Sequence, residues 1–220
     1  MCGRYTLDAS AEDISRRFGA PARQVKVSPS YNVSPGQLMP AITLESDGTR
    51  AIELMVWGIH RFFGKDKTRV LINTRAENAF GGFWRKTVFA QRCLIPATGF
   101  YEWKLTKDGK IPYCIRPKDD ALYAFAGIWE DWQNDEGQRL RTYSIMTSAA
   151  NEETKCIHDR MPIVLHRTDE AAWLDVASGS QNAIERLLCP SEDGRFEMYE
   201  VGTAVNNPRN NGSSLLLSAK

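Results

Sequence analysis

Cys93-Leu94-Ile95-Pro96-Ala97-Thr98-Gly99-Phe100-Tyr101-Glu102-Trp103-Lys104-Leu105-Thr106-Lys107-Asp108-Gly109-Lys110-Ile111-Pro112-Tyr113-Cys114-Ile115-Arg116 decides the fold. Residues 93–96, 99–104 and 112–116 read as strands, and Lys107-Asp108-Gly109 is a turn signal that joins the last two as a hairpin. Working outward, residues 122–128 and 141–147 extend the pattern toward the C-terminus. Residues 39–44, 51–57 and 70–73 extend it toward the N-terminus, with Ser46-Asp47-Gly48 as a second hairpin turn. Helices are fewer. Ser10 is an N-cap with Asp13 three residues on, Ile14 and Phe18 share a face, and Gly19 followed by Pro21 stops the helix. Further helices are expected at 76–90, with a break at Gly81-Gly82, and at 151–156, 168–177 and 181–188. Residues 31–36 read as a loop from their Pro and Gly, and 206–212 as a long surface loop. Tight-turned strands with a few peripheral helices predict an α+β fold, a curved antiparallel sheet or open β-barrel, in one domain over residues 1–220.

A chain of 220 residues buries roughly 70% of its unfolded surface and needs neither disulfides nor metal to fold. No apolar run approaches a membrane span, and no basic-then-apolar leader precedes the first helix, so a soluble cytoplasmic protein is expected. Cys2, Cys93, Cys114, Cys156 and Cys189 are odd in number and scattered, without a CxxC pair. That pattern favours neither a disulfide framework nor a zinc site. The net charge of +1 hides an asymmetry: residues 57–92 carry eight basic against two acidic side chains, a local +6. A basic patch on a near-neutral protein fits either a polyanion groove or a solvated face.

Four places hold groups suited to chemistry. Cys2 follows Met1, and a small second residue permits removal of the methionine. Cys2 would then offer a free α-amine beside its own thiol. Such a 1,2-aminothiol condenses with an aldehyde to an imine and closes to a five-membered thiazolidine, the second step being intramolecular. In Ile72-Asn73-Thr74-Arg75-Ala76-Glu77, Asn73 offers donor and acceptor, and Arg75 is either a phosphate fork or the ion-pair partner of Glu77. Glu102 sits among aromatics in Phe100-Tyr101-Glu102-Trp103. It is either a desolvated acid/base or the solvent-facing member of an alternating strand. His158, between Ile157 and Asp159-Arg160, is either an acid/base beside a phosphate ligand or a histidine paired with Asp159. His60 and His166 have no comparable neighbours.

These motifs occur in one order: Met1-Cys2-Gly3-Arg4-Tyr5, Tyr31-Asn32-Val33-Ser34-Pro35-Gly36, Trp57-Gly58, Ile72 to Glu77, Gly99 to Trp103, Ile157-His158-Asp159-Arg160-Met161-Pro162 and, late, Val205-Asn206-Asn207. Together they resemble the SOS-response-associated peptidase family, the abasic-site processing proteins. The resemblance implies an open β-barrel with a basic groove for single-stranded DNA, and a covalent thiazolidine crosslink between Cys2 and an abasic site. It also implies autoproteolytic loss of Met1, shielding of the lesion in the DNA-damage response, and an associated lyase activity. Carried over residue by residue, Asn73 orients the reacting group, Glu102 is the acid/base for sugar opening and imine chemistry, and His158 donates a proton near the sugar oxygen. Arg4, Arg75 and Arg160 match phosphate contacts, Thr147 another backbone contact, and Pro35 a loop residue beside the lesion. The family's aromatic wedge after Trp-Gly is met by Phe62 and Phe63, a departure in residue type. The expected partner is abasic single-stranded DNA, with no cofactor, no metal, no membrane and a monomeric state.

Two other readings use the same residues. An N-terminal-nucleophile amidase would need only Cys2, an oxyanion donor in Asn73 and the α-amine as base, and would leave the basic segment without a purpose. A non-covalent reader of modified or single-stranded DNA would bind fully without Cys2.

Overall fold

The computed structural model describes residues 2–23, 25–62, 68–118, 121–133, 136–177 and 179–219. Strand β1 (Arg4–Leu7) leads into helix α1 (Ala11–Phe18). The Ser10 hydroxyl accepts the Asp13 backbone N–H and the Asp13 carboxylate accepts the Ser10 N–H, a reciprocal pair that satisfies two donors at the helix start. Gly19 ends the helix in the left-handed region at φ 62°. There follow β2 (Ser30–Val33), β3 (Leu38–Leu44), β4 (Arg50–Trp57), β5 (Ile59–Phe62), β6 (Thr68–Leu71) and β7 (Asn73–Arg75). A 3-10 turn (Ala76–Asn78) and helix α2 (Trp84–Ala90) flank the Gly81-Gly82 break. Then come β8 (Arg92–Ala97), β9 (Gly99–Thr106), β10 (Gly109–Pro117), β11 (Tyr123–Gln133), β12 (Arg139–Ala149), β13 (Arg160–Pro162), α3 (Glu170–Leu174), α4 (Gln181–Leu187) and β14 (Phe196–Glu200).

The strands make two large sheets and a small ribbon. One sheet has the order β14-β10-β9-β1-β2 and is antiparallel throughout. The other runs β11-β8-β3-β4-β12-β13, and a further β11–β12 pairing closes five of its strands into a barrel. Both expected hairpins, β3–β4 and β9–β10, are present. The expected α+β fold, an antiparallel sheet curved into a barrel, is the one observed, with two parallel joins within it, where β4 and β7 both pair with β12. After β4 the chain makes an excursion through the β5–β6 ribbon and returns to the same edge of β12, a crossover that a tight turn cannot make.

Burial explains the other differences. Residues 31–33, expected to begin a loop, join Ser30 in β2 because β1 offers them an edge, with Tyr5 opposite Val33. The helix expected at 151–156 contracts to one 3-10 turn (Thr154–Cys156). The Asn151 carboxamide oxygen accepts the Thr154 N–H and hydroxyl, the contact of a helix N-cap, and the segment ends after that single turn. The helix expected at 168–177 shortens to Glu170–Leu174. Residues 206–212 are the expected surface loop, and the 3-10 turns that flank it, Thr203–Asn206 and Ser213–Leu216, bury Val205 and Leu215 against Tyr101, Cys114 and Val201, a second core beside the barrel's own.

Candidate active site

The register of the first sheet fixes the N-terminal residues. Arg4 lies opposite Tyr101 and Tyr5 opposite Phe100, so the chain running back from Arg4 to Cys2 passes beside Glu102. Tyr5 anchors this approach from below, its ring edge against Trp57 and its hydroxyl 2.8 Å from that of Tyr143. Trp57 in turn donates its indole N–H to the Ile72 carbonyl at 2.9 Å. The adjacent Gly58 has φ 127°, and a Cβ there would meet Val70 at 2.4 Å, so the Trp-Gly pair admits no larger second residue.

Cys2 is fully buried. Its Sγ–H points to the Arg4 carbonyl at 3.6 Å, and its own carbonyl accepts the Asn73 side-chain N–H at 2.8 Å. Burial, reinforced by the nearby Glu102 carboxylate, pushes the thiol well above its usual range, so it rests protonated. The carboxamide oxygen of Asn73 is buried and has no hydrogen-bond partner among the described residues.

Glu102 is 3% exposed, which excludes the solvent-facing reading. It lines a pocket of about 500 Å³ with Trp103, Lys110, His158 and Asn206. Desolvation pushes its pKa from 4.5 up to about 7, within reach of both protonation states near neutrality. His158 faces it across the pocket, its pKa lowered chiefly by burial. The His158 Nδ1 atom lies 3.0 Å from the Arg160 backbone N–H and 2.8 Å from an Asp159 carboxylate oxygen. One nitrogen cannot serve both at once. A neutral ring protonated on Nε2 accepts from Arg160, and an imidazolium donates to Asp159, so the two contacts hold the two protonation states in turn.

Strand β12 brings these groups together. On one edge Ile145 pairs with Asn73 and Thr147 with Arg75; on the other Thr147 pairs with Pro162 and Ala149 with Arg160. The turn before β13 is set by Asn151, whose amide also donates to the Ser191 and Glu192 carbonyls. Arg160 grips Glu77 through both terminal nitrogens, at 2.6 and 3.0 Å, and donates to the Thr147 carbonyl at 2.8 Å. Glu77 thus pairs with Arg160, although the Arg75 guanidinium also adds to its electrostatic environment.

The opposite wall is made by the tail. The Asn32 amide donates to the carbonyls of Val205, Asn207 and Asn210, while its oxygen accepts from Arg4 at 2.7 Å. The same Arg4 nitrogen donates to the Val205 carbonyl at 2.9 Å, and the guanidinium lies 5.9 Å from the Trp103 ring centroid. Trp103 donates its indole N–H to Asn206 at 2.7 Å.

The family model for SOS response associated peptidase (SRAP) matches residues 1–208. The chain belongs to the SRAP family. Abasic site processing protein YoaM of Bacillus subtilis is 39% identical over 98% of this chain and 97% of its own length. Abasic site processing protein HMCES of Gallus gallus is 28% identical over 99% of this chain and 77% of its own. A crystal structure of a protein from Bacteroides thetaiotaomicron superposes with a TM-score of 0.87, at 26% identity over the whole of both chains.

Within this SRAP chain, Cys2, Asn73, Glu102 and His158 converge on one region, and Arg75 and Arg160 flank it. Arg75 is exposed. Pro35 is exposed in a turn stapled to the Trp57 carbonyl by the Gly36 N–H at 2.8 Å. Thr147 is fully buried, and its carbonyl and hydroxyl both face Arg160, so it reaches the surface only through that residue. Phe62 closes β5, while Phe63 and Met1 lie outside the described residues. Two cations leave the basic patch. Arg92 is 2% exposed and donates to the carbonyls of Val88, Phe89, Trp173 and Asp175, and Arg61 is paired with Glu130. The pocket residues Lys110 and Asn206 had no assigned role from sequence. Only the late Val-Asn-Asn segment carried a signal for one of them.

Proposed function

We propose that this chain processes abasic sites in single-stranded DNA, capturing the ring-opened sugar covalently through Cys2 once Met1 is removed. The observation that carries the proposal is a buried Cys2 close to Glu102, a carboxyl group titrating near neutrality that lines one pocket of about 500 Å³ together with the His158 imidazole. The names of the similar proteins in Bacillus subtilis and Gallus gallus support the substrate class.

The chemistry follows from the protonation states. An abasic deoxyribose is mostly a closed hemiacetal. Glu102, as carboxylate, takes the proton from the 1-hydroxyl while His158 delivers one to the ring oxygen, and the C1′ aldehyde is released. The free α-amine of Cys2 adds to C1′, and the carbinolamine loses water to give an imine. The thiol then adds across the C=N bond: sulfur bonds to C1′, and its proton is passed through Glu102 to the imine nitrogen. The product is a thiazolidine, one water lighter than its reactants. A thiol held protonated until this step suits the sequence, because the amine must attack first. Should the imine lose its C2′ proton before ring closure, elimination of the 3′ phosphate gives the lyase outcome.

Met1 removal draws on the same residue. Attack of the Cys2 thiol on the Met1 carbonyl shifts the acyl group from nitrogen to sulfur, and water hydrolyses the thioester to free methionine and restore the thiol. Intact-mass measurement before and after incubation with an abasic oligonucleotide tests the whole reading. The expected result is a species beginning at Cys2 that gains the oligonucleotide mass less one water. A protein proven to begin at Cys2 whose mass does not change would refute it.

A further inference from the structure

Arg160 is unusually committed for a residue expected to meet DNA. Both its terminal nitrogens hold Glu77, and one of them also holds the Thr147 carbonyl. The pair is asymmetric: the Arg160 side chain is 13% exposed and that of Glu77 56%. The carboxylate is therefore the outer partner, lying where a ligand would approach the guanidinium. Its two oxygens present the same fork that two phosphate oxygens would present. Glu77 also borders a surface hollow of about 390 Å³ lined by Phe80, Ser148, Ala149, Glu185 and Leu188, which gives a displaced carboxylate room to turn but, among the described residues, no cation to meet. The consequence reaches the pocket through one residue, because the Arg160 backbone N–H holds His158 Nδ1.

We propose that Glu77 is an autoinhibitory residue for DNA binding: its carboxylate occupies the phosphate seat on Arg160, and DNA must displace it. The proposal rests on the reading of Arg160 as a phosphate ligand. Undamaged and abasic strands meet the same displacement on first contact, so Glu77 lowers the initial affinity for single-stranded DNA as a whole, and an abasic strand is retained afterwards by the Cys2 adduct.

Binding of an undamaged fluorescent oligonucleotide, measured by anisotropy at low and moderate salt, tests this with Glu77→Gln, Arg160→Ala and the double variant. Thermal melts confirm folding, which an exposed side chain on a 3-10 turn is expected to preserve. Removing a competing ion pair should tighten binding by about three- to tenfold in Glu77→Gln at low salt. The gain should vanish in the Arg160→Ala background. Weaker or unchanged binding by Glu77→Gln, with Arg160→Ala clearly impaired, would overturn the proposal alone. So would a gain that persists without Arg160, since that is the effect of net charge. Arg160→Ala binding as well as the unaltered protein would refute the phosphate role of Arg160, and the proposal with it.

Discussion

Replacing Glu102 by Gln removes a buried ionisable group while keeping its shape, and the structure sets the sign of two separate effects. The folded-state pKa of about 7 lies above the ordinary value of 4.5 because the carboxyl is buried. Below pH 4.5 the group is protonated in both folded and unfolded chains and opposes folding in neither. As pH rises from 4.5 toward 7, the unfolded chain ionises freely while the folded one resists, and the native state loses stability. At about 1.4 kcal/mol per pH unit the loss amounts to about 3 kcal/mol, complete just above pH 7. Glu102→Gln escapes it. In a chain of this size that is worth roughly 5–10 °C in melting temperature at pH 8, and close to nothing at pH 4.5. The same substitution removes the acid/base, so crosslinking should slow by about 10²- to 10⁴-fold, and the rate should lose its inflection near pH 7. Denaturant melts at pH 5 and pH 8, run beside a gel-based crosslinking time course, measure both. A variant destabilised equally at the two pH values, or one keeping the inflection, would show that Glu102 is neither strained by burial nor the titrating group.

Arg75→Ala should weaken single-strand binding about equally across sequences and reduce the slope of log affinity against log salt by about 1, measured by anisotropy titration. Arg92→Met should leave DNA binding intact while lowering stability by about 2–4 kcal/mol in urea melts, since the buried carbonyls it serves lose their donor. Reduced DNA affinity in a folded Arg92→Met protein would restore that residue to the groove. His158→Ala should slow capture of the cyclic hemiacetal by about 10²-fold or more, yet spare a pre-opened aldehyde offered at high concentration. Comparing the two substrates in a mass-detected time course separates a role in ring opening from one in imine formation.

The parts legible in sequence were those specified locally. The Ser10–Asp13 reciprocal cap, the Gly19 stop and the two hairpin turns each depend on residues within a few positions of one another, and each is where its residues predict. The parts that were not legible depend on distant partners. Strand β2 is four residues long and exists because β1 lies beside it. The tail folds down because Asn32, some 173 positions away from Val205, supplies its hydrogen bonds. Arg92 and Arg61 counted as surface charge because sequence position does not disclose that carbonyls or Glu130 await them. The candidate site shows the same division. Its residue types announced themselves through chemistry, whereas the link from Arg160 to Glu77 and the wall built from Trp103, Lys110 and Asn206 follow from tertiary packing alone.

The twin edges of β12 have one last consequence. Because Asn73 and Arg75 hang from one side of residues 145–147 and Arg160 from the other side of 147–149, thermal displacement of this strand is common-mode: both flanks travel together and the gap between them is conserved. A register slip is the opposite. With a side-chain period of two, a shift by one residue would invert the inward and outward faces along the strand and misalign both flanks at once. The site is thus built to tolerate breathing and to fail abruptly on misfolding, and buried residues such as Ile145 and Met146, which bear no chemistry themselves, carry its alignment.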